Sequence, residues 1–311
     1  MGEETVFVPS VELNSLHKMP RIGFGTWLLK PENVGNIIKN AIKCGYRHID
    51  CAFIYGNQRE IGKALNEVFE ERIVKREELF ITSKVWNTFH SHKRALKNID
   101  MILNELGIDY LDLCLIHWPM GYKEGEDLFP KVDNKILLSD VDFMETWGAL
   151  EEAVFKEKVR SIGLSNFNAK QIQKVISNCR IRPAVLQTEI HVYFQQDELF
   201  KFCKVNGINV VASCPLASSN ENPFRKSDYP SVFNDPVIKK IADELGQRVS
   251  SGQENEKKHI SFGVCGSSSI LFTIKTQKKH FSIFQTNAQI ALHYLIQKGL
   301  SVIPKSSNEE R

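Results

Sequence analysis

Strand-like and helix-like stretches alternate along this chain from Ile22 to its last residues, and that alternation limits the fold more than any other feature. Eight β-rich runs stand out, at 22–25, 47–51, 79–84, 111–117, 160–165, 184–189, 209–213 and 301–304. Helical patterns separate them. Pro31 lies near the start of the first, PENVGNIIKNAIKCG, and Gly45 ends it, as helix punctuation requires. Ser91 opens SHKRALKNIDMILNELG, whose Ile99, Ile102, Leu103 and Leu106 share one face. Asp142, Asn168, Asp197 and Asp235 stand before later helices as expected N-caps. Eight strands with intervening helices around one core predict an α/β fold, a closed parallel (β/α)8 TIM barrel. An open doubly wound sheet is the alternative. It would need a GxGxxG turn for a dinucleotide, and Gly23-Phe24-Gly25-Thr26-Trp27 has no third glycine in place. A chain of 311 residues suits a barrel, and residues 1–311 are read as one domain.

Four of the runs end in polar groups. HID, LFITSK, LDLCLIH and RSIGLSN finish at Asp50, Lys84, His117 and the pair Ser165–Asn166, and Tyr55 follows five residues after Asp50. Chemistry in such barrels gathers at the C-terminal strand ends. Long loops after two strand ends, roughly 119–141 and 217–235, belong to that face. Before Ile22, FVPSVELNSLHKMP alternates around Asn14-Ser15 and predicts a hairpin closing the opposite end.

Bulk properties exclude several classes. Net charge is +3, with basic residues scattered among nearly as many acids, which gives no case for a nucleic-acid surface. No run of about 18 apolar residues exists, so no membrane span is expected. The start, MGEETVFVPS, lacks a secretory apolar core, and Val6 breaks the myristoylation pattern. The seven cysteines form no CxxC pair and mostly sit in apolar runs, which implies free thiols and a cytoplasmic location. His90-x-His92 has no third ligand at suitable spacing, so no metal site is expected. The Lys-Lys pairs at 239–240 and 257–258 read as solvated faces.

One segment breaks the alternation. Helical ADELGQ (242–247) should lead directly into TNAQIALHYLIQKG (286–299), yet RVSSGQENEKKHISFGVCGSSSILFTIKTQKKHFSIFQ intervenes. A stretch of this length without a period is out of place inside a barrel. Arg-Val-Ser can be encoded across a splice donor, and Phe-Ser-Ile-Phe-Gln by a pyrimidine-rich acceptor. About 249–285 is therefore read as translated intron, with a genuine surface insertion as the alternative.

GYRHIDCAFIYGNQREIG (45–62), TSKVW around Lys84, LIHWP (115–119), GLSNF (163–167) and IPKS (303–306) together resemble the aldo-keto reductases, in the branch of aldose reductase and NADPH-dependent aldehyde reductase. The resemblance runs from about Phe7 to Arg311 apart from the insert. It implies a catalytic tetrad of Asp50, Tyr55, Lys84 and His117. The residue types suit carbonyl reduction. A phenol near pKa 10 is a weak acid, a neighbouring Lys84 ammonium would lower that value, and Asp50 would hold Lys84. His117 would orient the carbonyl oxygen, and Tyr55 would be the general acid. Taken singly, Tyr55 is a rim residue, Lys84 a surface charge, Asp50 a helix cap and His117 a core histidine. A hydrolase using Asp50 with Glu189 is a rival that Lys84 and IPKS argue against.

By the same resemblance, Ser165, Asn166 and Gln187 contact a nicotinamide carboxamide, and Lys305, Ser306 and Arg311 contact a 2′-phosphate, which favours NADPH. Trp27, Trp86 and Trp118 line an apolar substrate pocket. A monomer is implied. Departures from the pattern stand beside these. Ser213 occupies the position of the aromatic residue that stacks on nicotinamide, Cys214 replaces a serine, and the chain ends at Arg311, before the family's C-terminal loop. The competing expectation is a catalytically impaired NADPH-binding scaffold, or a defective splice isoform.

Overall fold

An antiparallel hairpin comes first, β1 (Ser10–Glu12) against β2 (Lys18–Pro20), with Val11 opposite Met19. The structure, a computed structural model, describes residues 9–218, 222–223, 229–250, 261–265, 269–273 and 286–306. Next come β3 (Phe24–Gly25), α1 (Pro31–Lys43), β4 (His48–Asp50), α2 (Gln58–Glu70), β5 (Phe80–Val85), α3 (His92–Leu106) and β6 (Leu111–Ile116). The long loop after β6 holds a small hairpin, β7 (Lys131–Val132) with β8 (Lys135–Ile136). Then follow α4 (Phe143–Phe155), β9 (Val159–Ser165), α5 (Ala169–Asn178), β10 (Val185–Glu189), α6 (Asp197–Val205), β11 (Asn209–Ser213) and α7 (Pro236–Ser250). After the hairpin β12 (Ser261–Cys265) and β13 (Ser269–Thr273), α8 (Asn287–Gln297) leads into β14 (Ser301–Val302).

Eight strands form one sheet in the order β14-β11-β10-β9-β6-β5-β4-β3, each neighbouring pair parallel. Its two edges meet. Ile22 bridges Val302 in parallel, Val302 N donates to Arg21 O (2.7 Å), and Gly23 N donates to Val302 O (2.9 Å). This is the (β/α)8 barrel that the alternation predicts. The last strand is shorter than the expected 301–304 because Pro304 has no N–H to give; only its carbonyl joins the ladder, accepting from Gly25 N at 2.9 Å.

Side-chain parity divides the core into two shells. Phe80, Leu113, Leu115, Val185, Val211 and Ile303 point inward, where Leu13 and Met19 of the hairpin join them. The hairpin thus plugs the N-terminal end, helped by Ser15 Oγ on Ser161 Oγ (2.8 Å) and Asn14 Nδ2 donating to Pro183 O (2.8 Å). Alternate residues such as Ile81, Cys114, Ile116 and Ile162 point outward onto Ile61, Ile99, Trp147 and Ile172 of the helices. Gly163 is required where β9 meets β10, since a Cβ there would lie 2.4 Å from Val185 O.

Helix starts follow the expected caps with one exception. Asp142 and Asn168 accept from Met144 N and Gln171 N, and Asp235 accepts from Val237 N and Ile238 N. Asp197 is instead the first residue of α6, where an acid suits the helix dipole, and it pairs with Lys298 at 2.7 Å. Within the expected insert, α7 continues to Ser250 and β12 pairs with β13; the rest of 249–285 lies outside the described residues. Among the described residues, no helix is long and apolar enough to cross a membrane.

Candidate active site

The same parity that packs the barrel interior brings its polar groups to one level. On β5 the inward positions are Phe80, Thr82 and Lys84; on β6 they are Leu113 and Leu115, followed by His117. Asp50 stands opposite Thr82 on β4, and Gln187 on β10 stands opposite Ser165 on β9. Strand register therefore delivers Asp50, Lys84, His117, Ser165, Gln187 and Ser213 to the C-terminal mouth. Tyr55 arrives from a turn of 3-10 helix, Phe53–Tyr55, closed by Gly56 at φ 67, a left-handed conformation suited to glycine.

Lys84 is the hub. Its ammonium has no exposed surface and spends its three donors on Asp50 Oδ1 (2.7 Å), Cys51 O (2.8 Å) and Tyr55 Oη (3.5 Å). The second oxygen of Asp50 accepts from Gln187 Nε2 at 2.7 Å. Burial disfavours the ammonium, but Asp50 and Tyr55 outweigh it and hold the Lys84 pKa above its usual value. The Tyr55 ring is partly exposed along the cavity while its hydroxyl reaches this buried ammonium. Lys84 pulls the phenol pKa down, as expected, but it does not prevail. Burial, with Asp50 adding to it, pushes the value up to about 12. Tyr55 thus keeps its proton at neutral pH.

His117 is buried, and desolvation followed by the charge of Lys84 holds its pKa well below the usual imidazole value. The ring is neutral. Its Nδ1 has no hydrogen-bond partner among the described residues. The ring meets Tyr55 edge-on at 5.9 Å and Trp86 at 5.3 Å, and it lies nearly parallel to Trp118 at 6.5 Å.

A cavity of about 130 Å³ opens beside this cluster. Asp50, Tyr55, Gln187, Ser213 and Lys305 are among its polar lining residues, and Trp27, Leu28, Leu216, Phe233 and Pro304 among its apolar ones. Of the three expected pocket tryptophans, Trp27 lines this cavity, whereas Trp86 and Trp118 gather around His117. Trp86 is buried with its Nε1 donating to Leu128 O (2.9 Å). Asn166 donates to His117 O (3.0 Å) and Ser165 Oγ (3.1 Å), from a left-handed backbone at φ 62 that asparagine tolerates. Both adjoin the site without lining the cavity. Ser306 follows Lys305 outside the lining, and Arg311 lies outside the described residues. His92 pairs with Glu152 at 3.3 Å, well apart from buried His90 in its bonding. Leu216 and Phe233 were not singled out from sequence; their place in the long loop after β11 was the available signal.

The profile of the Aldo/keto reductase family matches residues 21–311. The chain belongs to the aldo/keto reductase family. Aldo-keto reductase family 1 member A1 of Mus musculus is 45% identical over 304 residues, covering 97% of this chain and 82% of that protein. The Homo sapiens protein of the same name is 45% identical over 239 residues, 76% of this chain and 73% of its own length. Among solved structures, the aldose reductase from Schistosoma japonicum superposes with a TM-score of 0.79 at 36% identity, over 97% of this chain and 84% of that one. Aldo/keto reductases act on carbonyl groups and use NAD(P)H. The cavity fits such a group. It is walled largely by apolar side chains, and Gln187, which carries an amide, and Lys305, a cation, both line it.

Proposed function

We propose that this chain reduces aldehydes and ketones, sugar aldehydes included, to alcohols with NADPH, Tyr55 supplying the proton. The observation that carries the reading is the convergence on Lys84 Nζ of Asp50, the Cys51 carbonyl and the Tyr55 hydroxyl. Bound NADPH supplies the hydride, which no side chain carries. Each residue then has a task. Neutral His117 orients the carbonyl oxygen and donates to the charge that develops there. An alkoxide is far more basic than a phenolate, so the proton held on Tyr55 Oη moves to the substrate oxygen as that charge appears. Lys84, fixed by Asp50, stabilises the phenolate left behind. In alcohol oxidation the same phenolate is the base.

Ser165, Asn166 and Gln187 would hold the carboxamide, and Lys305, Ser306 and Arg311 the 2′-phosphate, a set of cations and hydroxyls suited to a phosphomonoester. Trp27 and Phe233 supply apolar wall for the substrate, with Trp86 and Trp118 behind His117. We read the protein as a cytoplasmic monomer without nucleic-acid partners, as a single domain, with 249–285 as translated intron; an exon map across those codons tests the last point.

Ser213 favours a second reading, a binding scaffold with impaired turnover, because its hydroxymethyl cannot supply a stacking face for nicotinamide. The full chain mixed with NADPH and an aromatic aldehyde separates the two. Aldehyde-dependent loss of NADPH absorbance supports the enzyme; cofactor binding without turnover supports the scaffold.

A further inference from the structure

Asn57 opens α2 as its N-cap residue, its carbonyl accepting from Ile61 N at 3.1 Å. Asparagine in that position normally turns its side chain onto the first helical amides. Asp142, Asn168 and Thr286 do so for α4, α5 and α8. Asn57 makes no such bond. Its fully buried side chain reaches away from the helix, and Nδ2 donates to Thr26 O and Leu29 O, each at 3.0 Å. Both partners are carbonyls, so the amide nitrogen must face them, and its two hydrogens are both used.

Those carbonyls bracket Trp27 and Leu28, two adjoining walls of the cavity. Leu28 sits at φ 62, a left-handed conformation unfavourable for a bulky side chain and kept only where the surroundings impose it. The start of the same loop is tied to Asp50, whose carbonyl accepts from Thr26 N (3.1 Å) and Thr26 Oγ1 (2.8 Å). The wall is thus braced on one side by the backbone of Asp50 and on the other by a residue two positions past Tyr55.

We infer that Asn57 is a positioning residue that presets the Trp27–Leu28 wall relative to Tyr55, and so sets the preference for aldehydes bearing a flat or bulky apolar substituent over small aliphatic ones. The inference rests on the carbonyl-reduction reading of this site. A substituent gains binding only from a wall already in place, and a small aldehyde offers that wall little surface to hold. Capping alone does not explain the residue, since its cap bond is not made.

Asn57→Asp separates the two roles. Aspartate caps a helix as well as asparagine, but its carboxylate has no donor for two carbonyls. Asn57→Ala removes the brace without adding charge, should the carboxylate unfold the chain. Steady-state reduction of benzaldehyde and propanal is compared across the wild type and both variants. The brace requires KM for benzaldehyde to rise about tenfold in both variants, the size of one or two buried hydrogen bonds. KM for propanal should stay within about twofold, with kcat nearly constant and amide exchange at 26–29 faster. A benzaldehyde-to-propanal KM ratio unchanged in Asn57→Ala, or raised in Ala but not in Asp, overturns the inference. Absence of turnover in the wild type overturns the reductase reading instead, and exchange at 26–29, which needs no activity, then decides the brace.

Discussion

The barrel carries a buried carboxylate cluster at each end, and the two are put to different use. At the N-terminal end Asp112, the second residue of β6, accepts from Arg76 Nη2 (2.8 Å), Ile81 N (2.9 Å) and Arg160 Nη1 (3.3 Å). Both guanidinium groups also cover the Tyr110 ring, at 4.0 and 3.8 Å. At the C-terminal end Asp50 takes Lys84 and Gln187, but the chain of contacts runs on to a phenol that lines a cavity and to a neutral histidine with a ring nitrogen unused among the described residues. Charge and burial are common to both ends. What separates them is proton-carrying capacity left over and turned toward space. The N-terminal cluster ties β5, β6 and β9 together; the C-terminal one is equipped to react, as the polarity of this fold requires.

The comparison breaks most visibly at Lys84. Lys84→Met should lower turnover by at least about 10²-fold and, by leaving Asp50 unpaired in the interior, destabilise the fold by about 3–5 kcal/mol. Adding Asp50→Leu should recover much of the stability in urea unfolding and none of the activity. Asp112→Asn is the counterpart. It should cost about 2–4 kcal/mol in the same unfolding measurement while leaving kcat unchanged. An equal loss of kcat would erase the distinction between the two ends.

A pH series sharpens it. His48, His90 and His117 are buried, and burial holds each below the usual imidazole pKa, His90 at about 4. The unfolded chain takes up protons below about 6.5 that the folded chain refuses, so stability is full above that value and falls as pH drops through it. His90 and His117, the two held furthest down, should each approach a limiting slope of about 1.4 kcal/mol per pH unit below about 6.5, with His48 adding in the same direction, read as a Tm that falls between pH 7 and 5.5. Because His117 is neutral throughout, kcat/KM for reduction should show no break near 6.5. The smallest effect concerns the cofactor and not the phenol. Lys305→Ala should weaken NADPH about tenfold and NADH much less, measured by cofactor fluorescence; equal weakening removes the 2′-phosphate assignment.

Much of this was legible in the residues because two periodicities carry it. Inward parity on β5 and β6 makes Lys84 and His117 interior once Phe80 and Leu113 are, and strand ends then place them at one level. The N-terminal plug followed from alternation in the same way. Other features have no local signature. That burial outweighs Lys84 in the pKa of Tyr55 depends on how deeply the hydroxyl sits, which no spacing reveals. Trp86 is held against His117 by a carbonyl 42 residues away, at Leu128. Asn57 reads as an ordinary helix cap until its partners, Thr26 and Leu29, are seen across the loop.

The central claim is that the hydroxyl of Tyr55 gives the proton, and Tyr55→Phe tests it with a change of one oxygen atom. With NADPH dissociation constants and kcat for an aromatic aldehyde taken on the same preparations, the variant should bind cofactor as the wild type does and turn over at least about 10²-fold more slowly. A phenylalanine variant that binds NADPH normally and keeps kcat within a few-fold of the wild type would contradict it.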